Sequence, residues 1–365
     1  MTLAMIFPSE DSEKAISNYS SRLSDSLKKE IEVENINYIA GKPSEVFKIT
    51  RKLRESNFDN IHFQHEYNII GGFSIPIFIL YLWLGIFSTE YIFTTMHTVL
   101  SKKEKFNSGK VKTFLRKVLY NLQNKFIGFI SDKIIVHAEF FKDILVNEYG
   151  LNENKIEVIP QGIIEDIPKY NKEKLKKEVG IKGNVYLIIG SLVPDHGADI
   201  ILKQANKIGK TILVVGSDKA INDRNDERIT NWSNYLIKIV DENYFEEYVK
   251  FGIGKIPYSL WWKYFTIADL VLLPYKGGIG SGIFSDAIAT RTPMIGSNIK
   301  YFKEYSKYNF IKIAEKDEDF PNKIKEAMIP KNYKKMKDSF DSYIKEYGLS
   351  NISKKYINLY EDVRL

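Results

Sequence analysis

Short runs of β-branched and aromatic residues alternate with longer helical patterns along the whole chain, and this alternation limits the fold more than any other feature. Strands are expected at residues 3–7, 31–38, 60–66, 91–97, 133–137 and 157–159. Helices are expected between them, at 13–30, 45–55, 76–87, 111–130 and 140–149. Parallel strands need long crossovers, and these helices supply them. The pattern breaks at 163–177, where Pro168 is followed by Lys169, Lys172, Lys174, Lys176 and Lys177. It restarts with strands expected at 185–190, 211–216, 235–240, 270–274, 293–297 and 310–314. The expected fold is therefore α/β, with two Rossmann-like, doubly wound domains facing a cleft. In open α/β sheets ligands bind beyond the C-terminal strand ends.

Composition narrows the function classes. The chain has 365 residues, 44% hydrophobic and 27% charged, the balance of a globular protein with a full core. It has no cysteine, so thiolate nucleophiles, disulfides and Cys-ligated metal are excluded. The net charge of +7 favours anionic partners. Aromatic and basic residues do not interleave as in nucleic-acid readers, so no nucleic acid is expected. The run from Ile75 to Phe87 is too short to span a bilayer and reads as a buried helix. With no signal-peptide pattern at the N-terminus, the expected location is cytoplasmic, with peripheral contact at the inner face of the membrane.

All five histidines, His62, His65, His97, His137 and His196, fall at or near expected strand ends. The richest group is Gln64-His65-Glu66 after one strand and His97-Thr98 after the next. Parallel neighbouring strands would bring these side chains together. A lone histidine is more often structural, but clustering at one sheet edge makes His97 the best candidate for acid/base work or for holding a sugar hydroxyl. No pair has the spacing of a zinc site, and Asp317-Glu318-Asp319 lies in a late acidic loop, so no metal is expected.

A second cluster follows the expected strand at 270–274. It comprises Lys276, Gly277, Gly278, Ile279, Gly280, Ser281 and Gly282. Glycines there let backbone N–H groups approach a ligand, and Ser281-Gly282 would open a helix whose positive end favours phosphate. The plainer alternative is a tight turn. The segment lacks the Gly-Lys-Ser/Thr of a P-loop. Asp286, one turn into that helix, would take two ribose hydroxyls or simply complement the helix dipole.

The third feature is basic. Residues 102–117 hold Lys102, Lys103, Lys105, Lys110, Lys112, Arg116 and Lys117 against Glu104 alone. The stripe Val111, Phe114, Leu115, Val118, Leu119 and Leu122 reads most simply as core packing. The lysines are either solvated or meet anionic lipid headgroups or a lipid-linked phosphate.

Taken in order, several segments resemble retaining glycosyltransferases of the GT-B fold, of the family 4 type. They are Gln64-His65-Glu66-Tyr67 with Gly71-Gly72, Thr95-Met96-His97-Thr98-Val99, and Gly190-Ser191 to Gly197. The likeness continues through Ala268-Asp269 to Asp286-Ala287 and then Arg291-Thr292-Pro293. It implies domains at 1–165 (acceptor) and 166–340 (nucleotide sugar), with a C-terminal helix in 341–365 packing back on the first. It implies a UDP- or GDP-hexose donor as substrate, a glycan or polyprenyl-phosphate-linked acceptor, no cofactor and no catalytic metal. Transfer would retain the anomeric configuration. His97 and Glu66 would be catalytic, and Gln64, His65 and Thr98 would lie on the acceptor side. Ser191, His196, Lys276, Gly278, Ile279, Gly280, Ser281, Gly282 and Asp286 would bind the donor, with the base read by backbone near 252–258.

The chain departs from the family at named places. The usual Arg and Lys on the donor diphosphate are replaced by Ser191 and His196. The usual pair of glutamates is replaced by Gly278 and Asp286. Pro8-Ser9-Glu10-Asp11 replaces the first glycine-rich loop. Two alternatives follow: a degenerate protein that binds a partner or glycan without catalysis, and a nucleotide-sugar epimerase.

Overall fold

The computed structural model describes residues 1–11, 14–104, 109–217, 232–277 and 281–363. The chain divides into two units. The first is Met1–Gly162 together with Leu349–Leu365, and the second is Ile163–Gly348.

The first unit is built on β1 (Thr2–Pro8), β2 (Glu32–Tyr38), β3 (Asn60–His65), β4 (Tyr91–Met96), β5 (Lys133–Val136) and β6 (Ile156–Val158). They form one sheet in the order β2-β1-β3-β4-β5-β6, and every pairing is parallel. The interior strands β1 and β3 are buried along almost their whole length, as a sheet covered on both faces requires. The edge strand β2 alternates, with Glu32 and Glu34 outward, which discourages pairing with another chain. The strand order reverses between β1 and β3, which makes that crevice the natural ligand position.

The second unit has β7 (Val185–Ser191), β8 (Thr211–Ser217), β9 (Val249–Ile253), β10 (Leu270–Leu273), β11 (Met294–Ser297) and β12 (Ile311–Ala314). Its parallel order is β12-β11-β10-β7-β8-β9, so the reversal lies between β7 and β10. One expected strand is corrected here. Residues 235–240 belong to the helix Trp232–Glu242, and the strand is β9. Leu236, Ile239 and Val240 repeat at helical spacing and are the buried apolar face of that helix.

The last helix, Leu349–Asp362, completes the first unit rather than the second. It lies on the helix Lys14–Leu27, and Ser26 Oγ donates to Ser353 Oγ at 2.9 Å. Tyr356 and Tyr360 are wholly buried beneath it. The preceding helix, Pro330–Tyr347, stays with the second unit, so only part of 341–365 returns.

Two further expectations are overturned on the first unit's surface. The helix Ile75–Phe87 is not a buried helix, because Ile75, Ile79, Leu82, Ile86 and Phe87 are exposed. The stripe on the helix Lys110–Ile130 is not core packing either. Val111, Phe114, Leu115, Val118 and Leu122 are exposed, and the buried positions include Gln123 and Asn124. Periodicity shows that a stripe exists but not which side faces the core. Each such side chain forgoes roughly 1.5–3 kcal/mol of burial.

Candidate donor and catalytic sites

In the first unit the parallel register sets His65 beside Met96, and the backbone N–H of His97 donates to the His65 carbonyl at 3.1 Å. Glu66 and His97 therefore leave neighbouring strands at the same edge. Thr98 follows, buried. Glu66 accepts from the N–H of Tyr67 at 2.8 Å.

His97 is held by a string of side-chain hydrogen bonds. Its Nε2 meets Gln64 Oε1 at 2.9 Å, and Gln64 Nε2 meets His62 Nε2 at 3.2 Å. His62 Nδ1 lies 2.6 Å from the hydroxyl of Tyr360, and His62 Nε2 lies 2.7 Å from Thr95 Oγ1. With the Gln64 oxygen toward His97, Nε2–H is the donor and Nδ1 carries the lone pair. Burial, followed by the neighbouring His137, His62 and His65, holds the His97 pKa well below its ordinary value. The ring is thus neutral, a hydrogen-bond acceptor rather than a cation. Tyr19 meets it edge-on at 5.5 Å, and His137 lies at 5.1 Å between ring centroids.

His62 lies two residues from the start of β3. It sits inside β3, wholly buried, with its pKa lowered to about 3 by burial and by nearby His137. His65 is also wholly buried, its pKa lowered to about 3 by burial, and Gln123 Nε2 reaches its Nε2 at 3.0 Å. Gln64 and His65 therefore support the edge from beneath and present no face to an acceptor. His137 is buried, and its Nδ1 donates to the Ile159 carbonyl at 2.9 Å.

In the second unit the candidate donor residues gather at the β7/β10 reversal. Ser191 ends β7, and the chain turns through Pro194–His196. His196 Nδ1 donates to the Ser191 carbonyl at 2.6 Å, leaving Nε2 as acceptor. Burial pulls the His196 pKa down, against the opposing pull of the Ser191 carbonyl and Asp195. Its ring stacks on Tyr275 at 4.6 Å and 13°. The turn presses close to the segment after β10, since a Cβ at Gly197 would stand 1.9 Å from the Pro274 carbonyl oxygen.

Ser281 opens the helix Gly282–Ala289, as expected. Its Oγ accepts from the Phe284 N–H at 3.3 Å and meets the Tyr275 hydroxyl at 2.9 Å. Among the described residues a Cβ at Gly282 would meet nothing within 4 Å. Asp286 accepts from Trp261 Nε1 at 2.9 Å. Lys276 Nζ is ion-paired to the buried Asp199 at 2.8 Å. Gly278, Ile279 and Gly280 lie outside the described residues. Asp319 of the acidic loop caps its own turn, accepting from the Lys316 N–H at 3.0 Å.

Sequence reading missed four participants. Tyr275 sits inside the glycine-rich segment and was passed over beside Lys276. His62 counts in the sequence only as one of five histidines at or near strand ends, and its hydrogen bonds to Gln64 and Tyr360 carry no local signal. Trp261 and Tyr360 come from distant helices and carry no local signal.

Residues 34–166 match the family model described as Glycosyltransferase Family 4. No curated protein matches this sequence. Among solved structures, sucrose-phosphate synthase from Thermosynechococcus elongatus aligns with a TM-score of 0.77 at 12% identity, covering 100% of this chain and 99% of that one. WaaG, a glycosyltransferase involved in lipopolysaccharide biosynthesis, aligns with a TM-score of 0.69 at 13% identity, covering 99% of each chain. The lipopolysaccharide outer core galactosyltransferase WaaB, in its apo form, aligns with a TM-score of 0.64 at 12% identity, covering 100% of each. Residues 34–166 thus resemble Glycosyltransferase Family 4, and the chain as a whole has the GT-B fold.

Proposed function

We propose that the chain is a retaining, metal-independent glycosyltransferase that moves a hexose from a UDP- or GDP-hexose to a glycan or polyprenyl-phosphate-linked acceptor. The observation that carries this reading is the cluster of His196, Tyr275, Ser281 and the start of the helix at Gly282, at the strand-order reversal of the second unit. A helix start with free N–H groups favours the diphosphate that leaves during transfer, and fixed dipoles there lower the barrier. His196 takes the place of the usual cation when the bound diphosphate draws a proton onto its ring, so that Nε2–H donates to a phosphate oxygen. Asp286 and the backbone near 252–258 complete the nucleotide side.

The neutral Nδ1 of His97 accepts a sugar hydroxyl and orients the donor ring. Glu66, which leaves the neighbouring strand at the same edge, stabilises developing positive charge. Thr98 lies on the acceptor side, while Gln64 and His65 act as support. Residues 102–117 would draw the protein to an anionic membrane surface that carries such an acceptor.

A second reading, a degenerate protein that binds a partner or glycan without catalysis, is favoured by one observation: Lys276, beside the glycine-rich turn in sequence, is committed to Asp199. Calorimetric titration with UDP, GDP, ADP and their hexose conjugates tests both. Micromolar binding of one conjugate, with release of its nucleotide, is expected. Binding without release, or no binding of any of them, removes the transfer reading and selects the second.

A further inference from the structure

The helix Lys110–Ile130 is inverted relative to an ordinary surface helix. Its inward side holds the amides of Gln123 and Asn124, hydrogen-bonded to His65 and to the Tyr67 hydroxyl. Its outward side holds Val111, Phe114, Leu115, Val118, Leu122 and Phe129, with Phe114 66% and Phe129 78% exposed. At 100° per residue these six fall in one stripe about 100° wide. Lys112 flanks it on one side and Lys110 and Lys117 on the other, while the exposed Lys125 lies within it. The helix carries no acidic residue.

The neighbouring helix Ile75–Phe87 repeats the pattern with no charge at all. Ile75, Ile79, Leu82 and Ile86 form an exposed ridge at spacings of four, three and four, while Ile77, Leu80, Tyr81 and Leu84 face the core. The two helices lie against each other. Phe78 meets Phe126 at 5.7 Å between ring centroids, and a Cβ at Gly85 would collide with Ile130. Of the nineteen exposed large hydrophobic residues among the described residues, eleven lie on these two helices.

We propose that this two-helix face inserts into the headgroup and upper acyl region of an anionic lipid bilayer. An apolar stripe bordered by cations on both sides matches a lipid surface, with side chains in the acyl boundary and ammonium groups at the phosphates. A second copy of the chain would set these cations against their own kind. Among the described residues no helix is long and apolar enough to cross a membrane, so the face lies in the interface rather than spanning it. Insertion rests on the anionic-surface part of the proposed function and is independent of the transfer chemistry.

Vesicle flotation of the full chain tests it, with phosphatidylcholine alone against phosphatidylcholine mixed with phosphatidylglycerol. The protein is expected to float with the mixed vesicles and to remain partly bound in high salt. The double variant Phe114→Ser/Leu115→Ser, checked for an unchanged Tm, is expected to lower the bound fraction at least about ten-fold, the effect of removing two buried anchors. Brominated lipid is expected to quench a tryptophan placed by Phe129→Trp. Binding that survives the apolar substitutions but is lost in Lys112→Gln/Lys117→Gln would overturn insertion while leaving surface attraction intact. Absence of binding to either vesicle would overturn both. A concentration-dependent dimer broken by the same apolar substitutions, without vesicle binding, would make the face a protein interface and overturn insertion. Vesicle binding in a protein that turns over no nucleotide sugar would support insertion and count against the transfer reading alone.

Discussion

Gln64 accepts a hydrogen bond from His97 Nε2 at 2.9 Å, and in doing so decides which ring nitrogen faces outward. The proton sits on the inner nitrogen, so the outer one is a lone pair. His97→Ala is expected to lower nucleotide-sugar turnover by about 10²-fold or more while leaving nucleotide affinity unchanged. Gln64→Leu should cost about ten-fold, the kinetic equivalent of one lost hydrogen bond. Turnover and calorimetric Kd on the same preparations check both. Equal loss in Kd and turnover for His97→Ala would place the ring in ground-state binding instead.

Acid should unfold the first unit early. Burial lowers His62 and His65 to about 3 and His137 to about 4, below the unfolded value of about 6.5. The unfolded chain therefore takes up protons first as pH falls. The stability these three histidines leave intact is complete above about pH 6.5 and declines toward pH 4, each removing up to about 1.4 kcal/mol per pH unit. Urea midpoints between pH 7 and pH 4 report this decline, and a flat profile would contradict the buried, neutral assignment.

Asp269 anchors the entry to the second unit. It takes Lys172 at 2.8 Å, Lys176 at 2.9 Å and the Val185 N–H at 2.8 Å. Burial opposes its charge, but the two lysines and the N–H outweigh it and hold the carboxyl below its usual range. Asp269→Ala leaves two partly buried ammonium groups without their partner and should cost about 3 kcal/mol of stability. Lys172→Met, at the more exposed amine, should cost less. Denaturant unfolding of both variants gives the order.

Gly197 and Gly180 share a left-handed φ, +66° and +67°. Only at Gly197 is the space filled, by the Pro274 carbonyl. Gly180→Ala should cost about 1 kcal/mol, the penalty of the backbone conformation. Gly197→Ala should cost more than about 2 kcal/mol and weaken nucleotide binding, because the His196 turn must move away from Tyr275. Similar losses at both sites would show that the close approach carries no weight.

His196→Ala is expected to raise the nucleotide Kd at least about ten-fold, since it removes the ring that donates Nε2–H to a phosphate once the diphosphate has drawn a proton onto it, a charge-assisted bond worth roughly 1.5–3 kcal/mol. Lys276→Met should raise it less than about three-fold, because Asp199 already offsets that charge. Calorimetry with the nucleotide that binds separates the two.

Much of the architecture was legible because a parallel sheet writes itself as buried runs at regular intervals. Eleven of the twelve strands fall where β-branched runs predict them. The exception is instructive. Residues 235–240 have strand-like composition, but Leu236, Ile239 and Val240 share a helix face, while the real strand, β9, is diluted by Lys250 and Gly252. The edge that carries Glu66 and His97 was legible from register alone. What supports that edge was not, because Tyr360 reaches His62 across 298 positions of sequence. Lys276 shows the converse: a cation beside glycines reads as a phosphate ligand until Asp199 is seen to hold it. The outward stripe at Val111–Leu122 was visible as a stripe, but only the buried amides of Gln123 and Asn124 reveal its direction.

The helix Leu349–Asp362 has a consequence for how the protein is made. It supplies Tyr360 to His62 and covers the helix Lys14–Leu27, yet it leaves the ribosome only after all of 163–348 has been synthesised. The second unit is contiguous and can finish during synthesis. The first begins earlier and ends later, so the seat of that helix stays uncovered until residues 349–362 emerge. The nascent chain thus holds His97 without its full support for most of its time on the ribosome, and the order of synthesis is the reverse of the order of completion.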